Sequence, residues 1–401
     1  MNTKINDMFL AYSSDDEIRQ LGQYGGAVTS IMKYLLEKGI VDGVVGVTKG
    51  YDIFDALPVL VTDPDEVVKT SGSFHFGTLN IAKFVSKYLN GARDMKLAIS
   101  CKPCDAMTFR ELMKKGKIIE DNVILIGVNC GGTMKPLSTM KMIKDTFNLD
   151  PKDIIDEKIS DNKLIIETAY GEKAFRLDEL EKQGLGRREN CKRCNLKIPS
   201  NTDLALGNWG VTGSLKGNAT FIEVFSQKGA EILDNIIDND LIKVEKADEK
   251  GIEIRQNINN IMLEKSMARK DIDYAGSSGD IIEVIHHYED ELSRCMKCYG
   301  CREACPLCFC DDCCLEADGP EWVYEGYTPA APFFHLTRMV HMADSCTNCG
   351  QCSDVCPSEI PVAKIWSTVN NKIREVYGYI PGMRDDKAIP FTDHTSKAKF
   401  L

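Results

Sequence analysis

Two copies of one cysteine run, C-x2-C-x2-C-x3-C-P, constrain this chain more than any other feature. Cys295, Cys298, Cys301 and Cys305 stand before Pro306, and Cys346, Cys349, Cys352 and Cys356 stand before Pro357. Three thiolates at this spacing wrap one corner of an iron–sulfur cubane, while the fourth, redirected by its proline, reaches the other cluster of a pair. The expectation is therefore one 4Fe-4S cluster on Cys295, Cys298, Cys301 and Cys356, and a second on Cys346, Cys349, Cys352 and Cys305. Zinc is the competing metal, but zinc motifs seldom combine these spacings with a terminal proline.

About forty residues separate Cys305 from Cys346, more than a minimal two-cluster ferredoxin needs. Part of that spacer, PFFHLTRMVHMADS, has helical periodicity, and AKIWSTVNNKIREVYG after the second run reads as another helix. This resembles the helical two-cluster ferredoxins of respiratory and heterodisulfide-reductase-type complexes. Four further cysteines, Cys308, Cys310, Cys313 and Cys314, leave two readings open: a further metal, or small thiols packed beside a cluster.

Cysteine usage also divides the chain. Twelve of the 17 cysteines crowd between 295 and 356, five lie at 101, 104, 130, 191 and 194, and none falls between 195 and 294. Two separate metal centres are expected, and so is a reducing compartment rather than a disulfide framework. The net charge of −11 argues against a nucleic-acid partner. Apolar runs such as VILIGV are strand-length, far short of the roughly 20 residues of a membrane span. The opening MNTKINDMFLAYSSDDE lacks the apolar core of a signal peptide, so a cytoplasmic location and no membrane contact are expected.

The first ~150 residues alternate helical and strand patterns as an α/β layer does. Gly25 and Gly26 open the helical AVTSIMKYLLEKG, which leads into the strand VDGVVGVT; helical LNIAKFVSKYLNG leads into KLAIS. Cys101 and Cys104 fall just past that strand, and Cys130 falls after VILIGVN, where α/β folds place their chemistry. Residues 155–225 read as short strands and turns with CKRC at 191–194 in a loop, and 228–290 as charged helix. The fold class is a mixed α/β domain over 1–285 followed by a mostly helical two-cluster domain over 286–401. Taken alone, the front cysteines allow a third cluster, a zinc knot or a redox dithiol. No G-x-G-x-x-G follows a strand, which argues against a Rossmann nicotinamide site.

The residues around the front cysteines add more. SCKPCDAMTF, VNCGGTM and GRRENCKRCNLKIPSNTDLALGNWG, in that order, with GGAVTSIMKYLLEKGIVDGVVG and TSGSFHFGT upstream, resemble the beta-subunit family of coenzyme F420 hydrogenases and dehydrogenases over about 1–290. Followed by a two-cluster ferredoxin, the chain resembles that family's formate-dehydrogenase branch. The resemblance implies FAD, hydride exchange with coenzyme F420 as substrate, and a third 4Fe-4S cluster on Cys104, Cys130, Cys191 and Cys194. Cys101 is an extra thiol that could replace Cys130 or Cys104. The resemblance also implies that Gly25, Gly26 and Thr29, and Ser71, Gly72, Ser73 and His75, lie against FAD. For the glycine pair the bland alternative is an ordinary helix entry, and for His75 a satisfied core histidine. Arg187 and Arg188 could attract the anionic tail of the deazaflavin or balance the charge of a cluster.

FAD is needed in such a chain because hydride carries two electrons and each cubane moves one. No side chain is expected to act as a catalytic nucleophile. The implied partner is a molybdenum- or tungsten-pterin alpha subunit of formate dehydrogenase. The alternatives are the electron-input subunit of an F420-linked hydrogenase or F420H2 dehydrogenase, and a pure iron–sulfur relay without its own flavin.

Overall fold

A computed structural model describes residues 2–274, 281–310, 313, 315, 333–383 and 387–392. The chain divides into two compact units: 1–79 with 92–106 and 120–264, and 80–91 with 107–119 and 265–401.

The first unit is built on an eight-stranded sheet. Its strands are β1 (Met8–Ser13), β2 (Gly43–Lys49), β3 (Ala56–Val61), β4 (Leu97–Cys101), β5 (Val123–Val128), β9 (Leu204–Gly207), β10 (Thr220–Val224) and β11 (Ile242–Lys246), and their spatial order is β11-β1-β10-β9-β5-β4-β2-β3. The four central strands β2, β4, β5 and β9 run parallel, and every pairing outside them is antiparallel. The central strands are near-continuous apolar runs because both faces are covered. One face packs on the helices Ala27–Glu37 and Gln227–Asp238, where Ile31, Leu35, Leu233 and Ile236 join Val44, Ile126, Leu206 and Ile222 in the main core.

A separate three-stranded meander, β6 (Ile154–Ser160), β7 (Lys163–Thr168) and β8 (Gly171–Arg176), belongs to the same unit. Its inward Ile154, Leu164 and Ile166 pack with Phe54, Phe76, Met134 and Phe147 in a second core. Asp203, just before β9, ties these layers together: its carboxylate accepts the Leu125 backbone N–H at 2.9 Å and the Ser226 hydroxyl at 2.7 Å. Ser226 in turn caps the helix Gln227–Asp238 by accepting the Gly229 N–H at 2.9 Å.

The second unit is helical. Its main segments are Ile281–Ser293, Phe333–Met342 and Val362–Tyr377, with single turns at Gly300–Glu303 and Gln351–Asp354. The stretches 80–91 and 107–119 are held in this unit by buried polar contacts. The Asn80 N–H meets Gln351 Oε1 at 2.8 Å, Thr108 and Thr347 share a hydroxyl bond of 2.9 Å, and the Gly382 N–H meets Glu111 Oε1 at 2.6 Å. Where helical periodicity predicts a helix over 79–91, the structure forms only an irregular turn ending in Phe84–Tyr88. Asn80 Oδ1 accepts the Ala82 N–H at 3.1 Å and delays the start. Among the described residues, no helix is long and apolar enough to cross a membrane.

Candidate metal centres and cofactor site

In the second unit the two cysteine runs have the same backbone. Lys297 and Tyr299 in the first run, and Asn348 and Gly350 in the second, all adopt left-handed conformations with φ of 54°, 58°, 56° and 85°. After Tyr299 and Gly350 comes a four-residue helical turn carrying the third cysteine, Cys301 or Cys352. Backbone amides aim at sulfur: within the first turn the Lys297 N–H meets Cys295 Sγ, and past the second run the Ile360 N–H meets Cys356 Sγ, each at 3.4 Å.

Two cavities result. One is lined by Cys295, Cys298, Cys301 and Cys356, with Tyr299, Phe334, His335 and Ile360 among its walls. The other is lined by Cys305, Cys346, Cys349 and Cys352, with Met342 and Trp366. Each collects three cysteines of one run and the fourth of the other. Burial pushes the Cys301, Cys346 and Cys352 thiols above their ordinary range. Thiolates there therefore need a strong local source of positive charge, which is what iron supplies. Cys308, Cys310 and Cys313 line neither cavity. Cys308 lies against Cys305, whose hydrogen bond raises its thiol pKa, and Cys314 lies outside the described residues. Among the described residues, no three His, Cys, Asp or Glu side chains converge as ligands of one ion would. Cubane ligands, by contrast, sit on separate irons.

In the first unit, the front cysteines gather beyond the carboxyl ends of β4, β5 and β9. Cys104 is in the first turn of the helix Pro103–Lys114, and Cys130 follows β5, its N–H bonded to the Lys197 carbonyl at 2.9 Å. Cys191 rides on the turn Glu189–Lys192, with Cys194 just past it. Gly132, at φ +127°, lets the two segments meet, because a Cβ there would come within 2.9 Å of Cys191 Cβ. Burial and the neighbouring Cys191 push the Cys130 thiol up to about 11, while Lys102 works in the opposite direction. Burial opposes the Lys102 charge, but Asp105, Cys104 and Cys130 favour it. Cys101 is a buried residue of β4, paired opposite Gly127.

Cations surround this group. Lys102 pairs with Asp105 at 2.8 Å, Lys192 with Glu189 at 2.7 Å, and Arg187 with Glu181 and with the Gly131 carbonyl at 2.9 Å. Arg188 is buried close to the Thr78 carbonyl. Lys197 differs from these: it is 1% exposed and, among the described residues, its ammonium meets only the Cys191 carbonyl, at 3.1 Å. An adjacent anionic group would complement such a buried ammonium. A thiolate-bound cluster fits that demand.

The segment 133–134 links these cysteines to His75. Met134 bridges both Phe76 and Arg187, and Thr133 Oγ1 donates to the His75 carbonyl at 3.0 Å. His75 Nδ1 lies 2.8 Å from Glu157 Oε2, and its own N–H meets Oε1 at 2.7 Å. Thr29 and Ser71 share a hydroxyl contact of 3.1 Å, and Gly72, at φ +92°, faces open space. Gly25 and Gly26, in contrast, are required by packing: both have positive φ, and a Cβ on Gly25 would lie 2.6 Å from the Asn218 carbonyl oxygen.

Burial alone would lower the His75 pKa, but the Glu157 carboxylate prevails and holds it above the ordinary 6.5. The ion pair is therefore fully formed below about pH 6.5 while Glu157 stays ionised, and is lost as pH rises through the elevated value. Thermal melts across that range should show stability falling with rising pH, and Glu157→Gln should flatten the dependence. A slope unchanged in that variant would refute the pairing.

Residues 8–86 and 94–250 match the N-terminal and C-terminal parts of the family described as coenzyme F420 hydrogenase/dehydrogenase, beta subunit. The chain is 42% identical over 385 residues to the F420-dependent formate dehydrogenase subunit beta of Methanocaldococcus jannaschii, covering 95% of this chain and 97% of the relative. The chain belongs to the coenzyme F420 hydrogenase/dehydrogenase beta-subunit family. The F420-dependent formate dehydrogenase 1 subunit beta of Methanococcus maripaludis is 43% identical over 388 residues, or 96% of this chain and 97% of its own length. Residues 339–362, around the second cysteine run, match a 4Fe-4S binding domain, so this member of the family carries iron–sulfur chemistry. The fold is shared with a chain of the F420-reducing nickel–iron hydrogenase complex from Methanosarcina barkeri, at a TM-score of 0.58 and 18% identity, covering 68% of this chain and 93% of that one.

Proposed function

We propose that this chain is the electron-transfer and coenzyme F420-reducing subunit of a formate dehydrogenase, working beside a molybdenum- or tungsten-pterin subunit that oxidises formate. The observation that carries this reading is near-full-length identity above 40% to two F420-dependent formate dehydrogenase beta subunits, in a chain that also contains both crossed cysteine cavities. Three 4Fe-4S clusters are assigned: to Cys295, Cys298, Cys301 and Cys356; to Cys346, Cys349, Cys352 and Cys305; and to Cys104, Cys130, Cys191 and Cys194. We assign domains over 1–285 and 286–401 and a cytoplasmic location.

FAD, when bound, would exchange hydride with the deazaflavin and single electrons with the clusters. Ser71, Gly72 and Ser73 offer hydroxyl and backbone N–H donors, and Thr29 fixes the Ser71 hydroxyl. Glu157 orients His75 beside them and fixes which ring nitrogen carries the proton. Gly25 and Gly26 shape the helix entry. Arg187, half-buried, and Arg188, buried, lie next to Cys191 and balance the charge of the front cluster.

The test is direct. Protein purified anaerobically should release FAD on denaturation and bleach coenzyme F420 with a reduced viologen as donor. Absence of both would leave a relay subunit without its own flavin.

A further inference from the structure

Two polar side chains on the helix Phe333–Met342 lie inside the second unit without the partners that burial demands. Arg338 is 2% exposed, and among the described residues no carboxylate meets its guanidinium. Instead Nη1 donates to Cys301 Sγ at 2.8 Å, Nη2 donates to the Cys301 carbonyl at 3.0 Å and lies 4.0 Å from Cys308 Sγ, and the guanidinium carbon sits 4.4 Å from the Trp366 ring centroid. Trp366 lines the cavity of Cys305, Cys346, Cys349 and Cys352, whereas Phe334, whose ring centroid is 5.9 Å from the guanidinium carbon, lines that of Cys295, Cys298, Cys301 and Cys356. Burial opposes the Arg338 charge, and Cys301, Cys308, Cys305 and Cys352 favour it. The guanidinium is thus a permanent positive charge placed between two sets of thiolates.

His335, one helical turn earlier, is 3% exposed and lines the Cys295, Cys298, Cys301 and Cys356 cavity. Among the described residues, neither ring nitrogen has a hydrogen-bond partner. In either protonation state the imidazole carries at least one N–H. A buried N–H left without an acceptor is destabilising. A sulfur of the cluster in that cavity would supply the acceptor.

We propose that His335 and Arg338 are the donor pair that sets the two ferredoxin-type clusters apart, holding the one on Cys295, Cys298, Cys301 and Cys356 at the higher potential. Hydrogen bonds to sulfur and positive charge near a cluster both stabilise its reduced, more negative form. Arg338 charge acts on both clusters, but its short N–H···S bond and the His335 ring serve only one. That cluster is then where an electron rests in this unit. The proposal relies on the ligand sets assigned above.

The experiment is an EPR-monitored redox titration of the purified holo-complex, with iron and sulfide measured in every variant. Signals are assigned to clusters through Cys298→Ser and Cys349→Ser. In His335→Leu, the reduced-to-oxidised ratio of the Cys301 cluster at fixed potential should fall about tenfold, or about 59 mV for one electron, and the other cluster should stay put. His335→Gln, which keeps an N–H, should recover most of the loss. Arg338→Gln should lower both potentials, and Arg338→Lys should restore the cluster that depends on charge alone. If the Arg338 variants lose iron, the His335 pair decides by itself. Equal potentials in wild type and His335→Leu with full iron content, or a shift shared equally by both clusters, would overturn the proposal. If Cys298→Ser and Cys349→Ser perturb the same signal, the ligand reading itself fails and the donor assignment goes with it.

Discussion

A Cys191→Ala, Cys194→Ala double variant should lose one cluster and almost all formate-dependent reduction of coenzyme F420. Iron should fall from about twelve to about eight atoms per chain, with sulfide in parallel. Residues that merely support metal ligands are worth about 10–100-fold in activity, so losing two ligands should cost more than about 100-fold. The expectation rests on the meeting of the Cys130 and Cys191 segments at Gly132, and on Lys197, a buried cation that needs an anion there. The ferredoxin-type signals should persist, because their cysteines belong to the other compact unit. A variant that lacks one cluster yet turns over at a near-normal rate would sink the assignment, since electrons would then bypass residues 191–194. Point variants are the right tool: truncation at 286 would strip 80–91 and 107–119 of the partners that Gln351, Thr347 and Gly382 provide.

The second large effect concerns the crossed wiring of the two cysteine runs. If each cavity holds a cluster, Cys298 and Cys356 serve the same one although they come from different runs. The double variant Cys298→Ala, Cys356→Ala should then lose about four irons. Cys298→Ala with Cys305→Ala, both from one run, should lose about eight, because these residues line different cavities. The opposite pair of results, about eight and about four, would mean that each run closes on its own cluster. Both doubles should abolish formate-dependent turnover, so iron and sulfide content is the deciding measurement.

Much of the site was readable without coordinates. Cluster motifs are local: x2 and x3 spacings dictate tight turns, and the structure forms those turns with left-handed residues at matching places in both runs. The parallel strands β2, β4 and β5 were equally plain, since strands buried on both faces read as unbroken apolar runs. β1 and β11 were not read as strands. They lie at the antiparallel side of the sheet and owe their conformation to pairing with each other and, for β1, with β10, more than 200 residues away in sequence. Periodicity carries no information about such a distant partner.

The sequence by itself determined that one cysteine run is repeated, that the chemistry is iron–sulfur, and which family the front half resembles, because each of these depends on residue type and short spacing. Only the tertiary structure decided that Gly25 and Gly26 answer to packing against Asn218 and Ile18, that Glu157 stands behind His75, and that 80–91 and 107–119 cluster with 265–401. It alone placed Lys197, His335 and Arg338 in the interior, without carboxylate partners among the described residues. In a sequence a lysine, a histidine and an arginine read as solvated charge. What makes them significant is burial, and burial is a property of how distant segments close over a side chain.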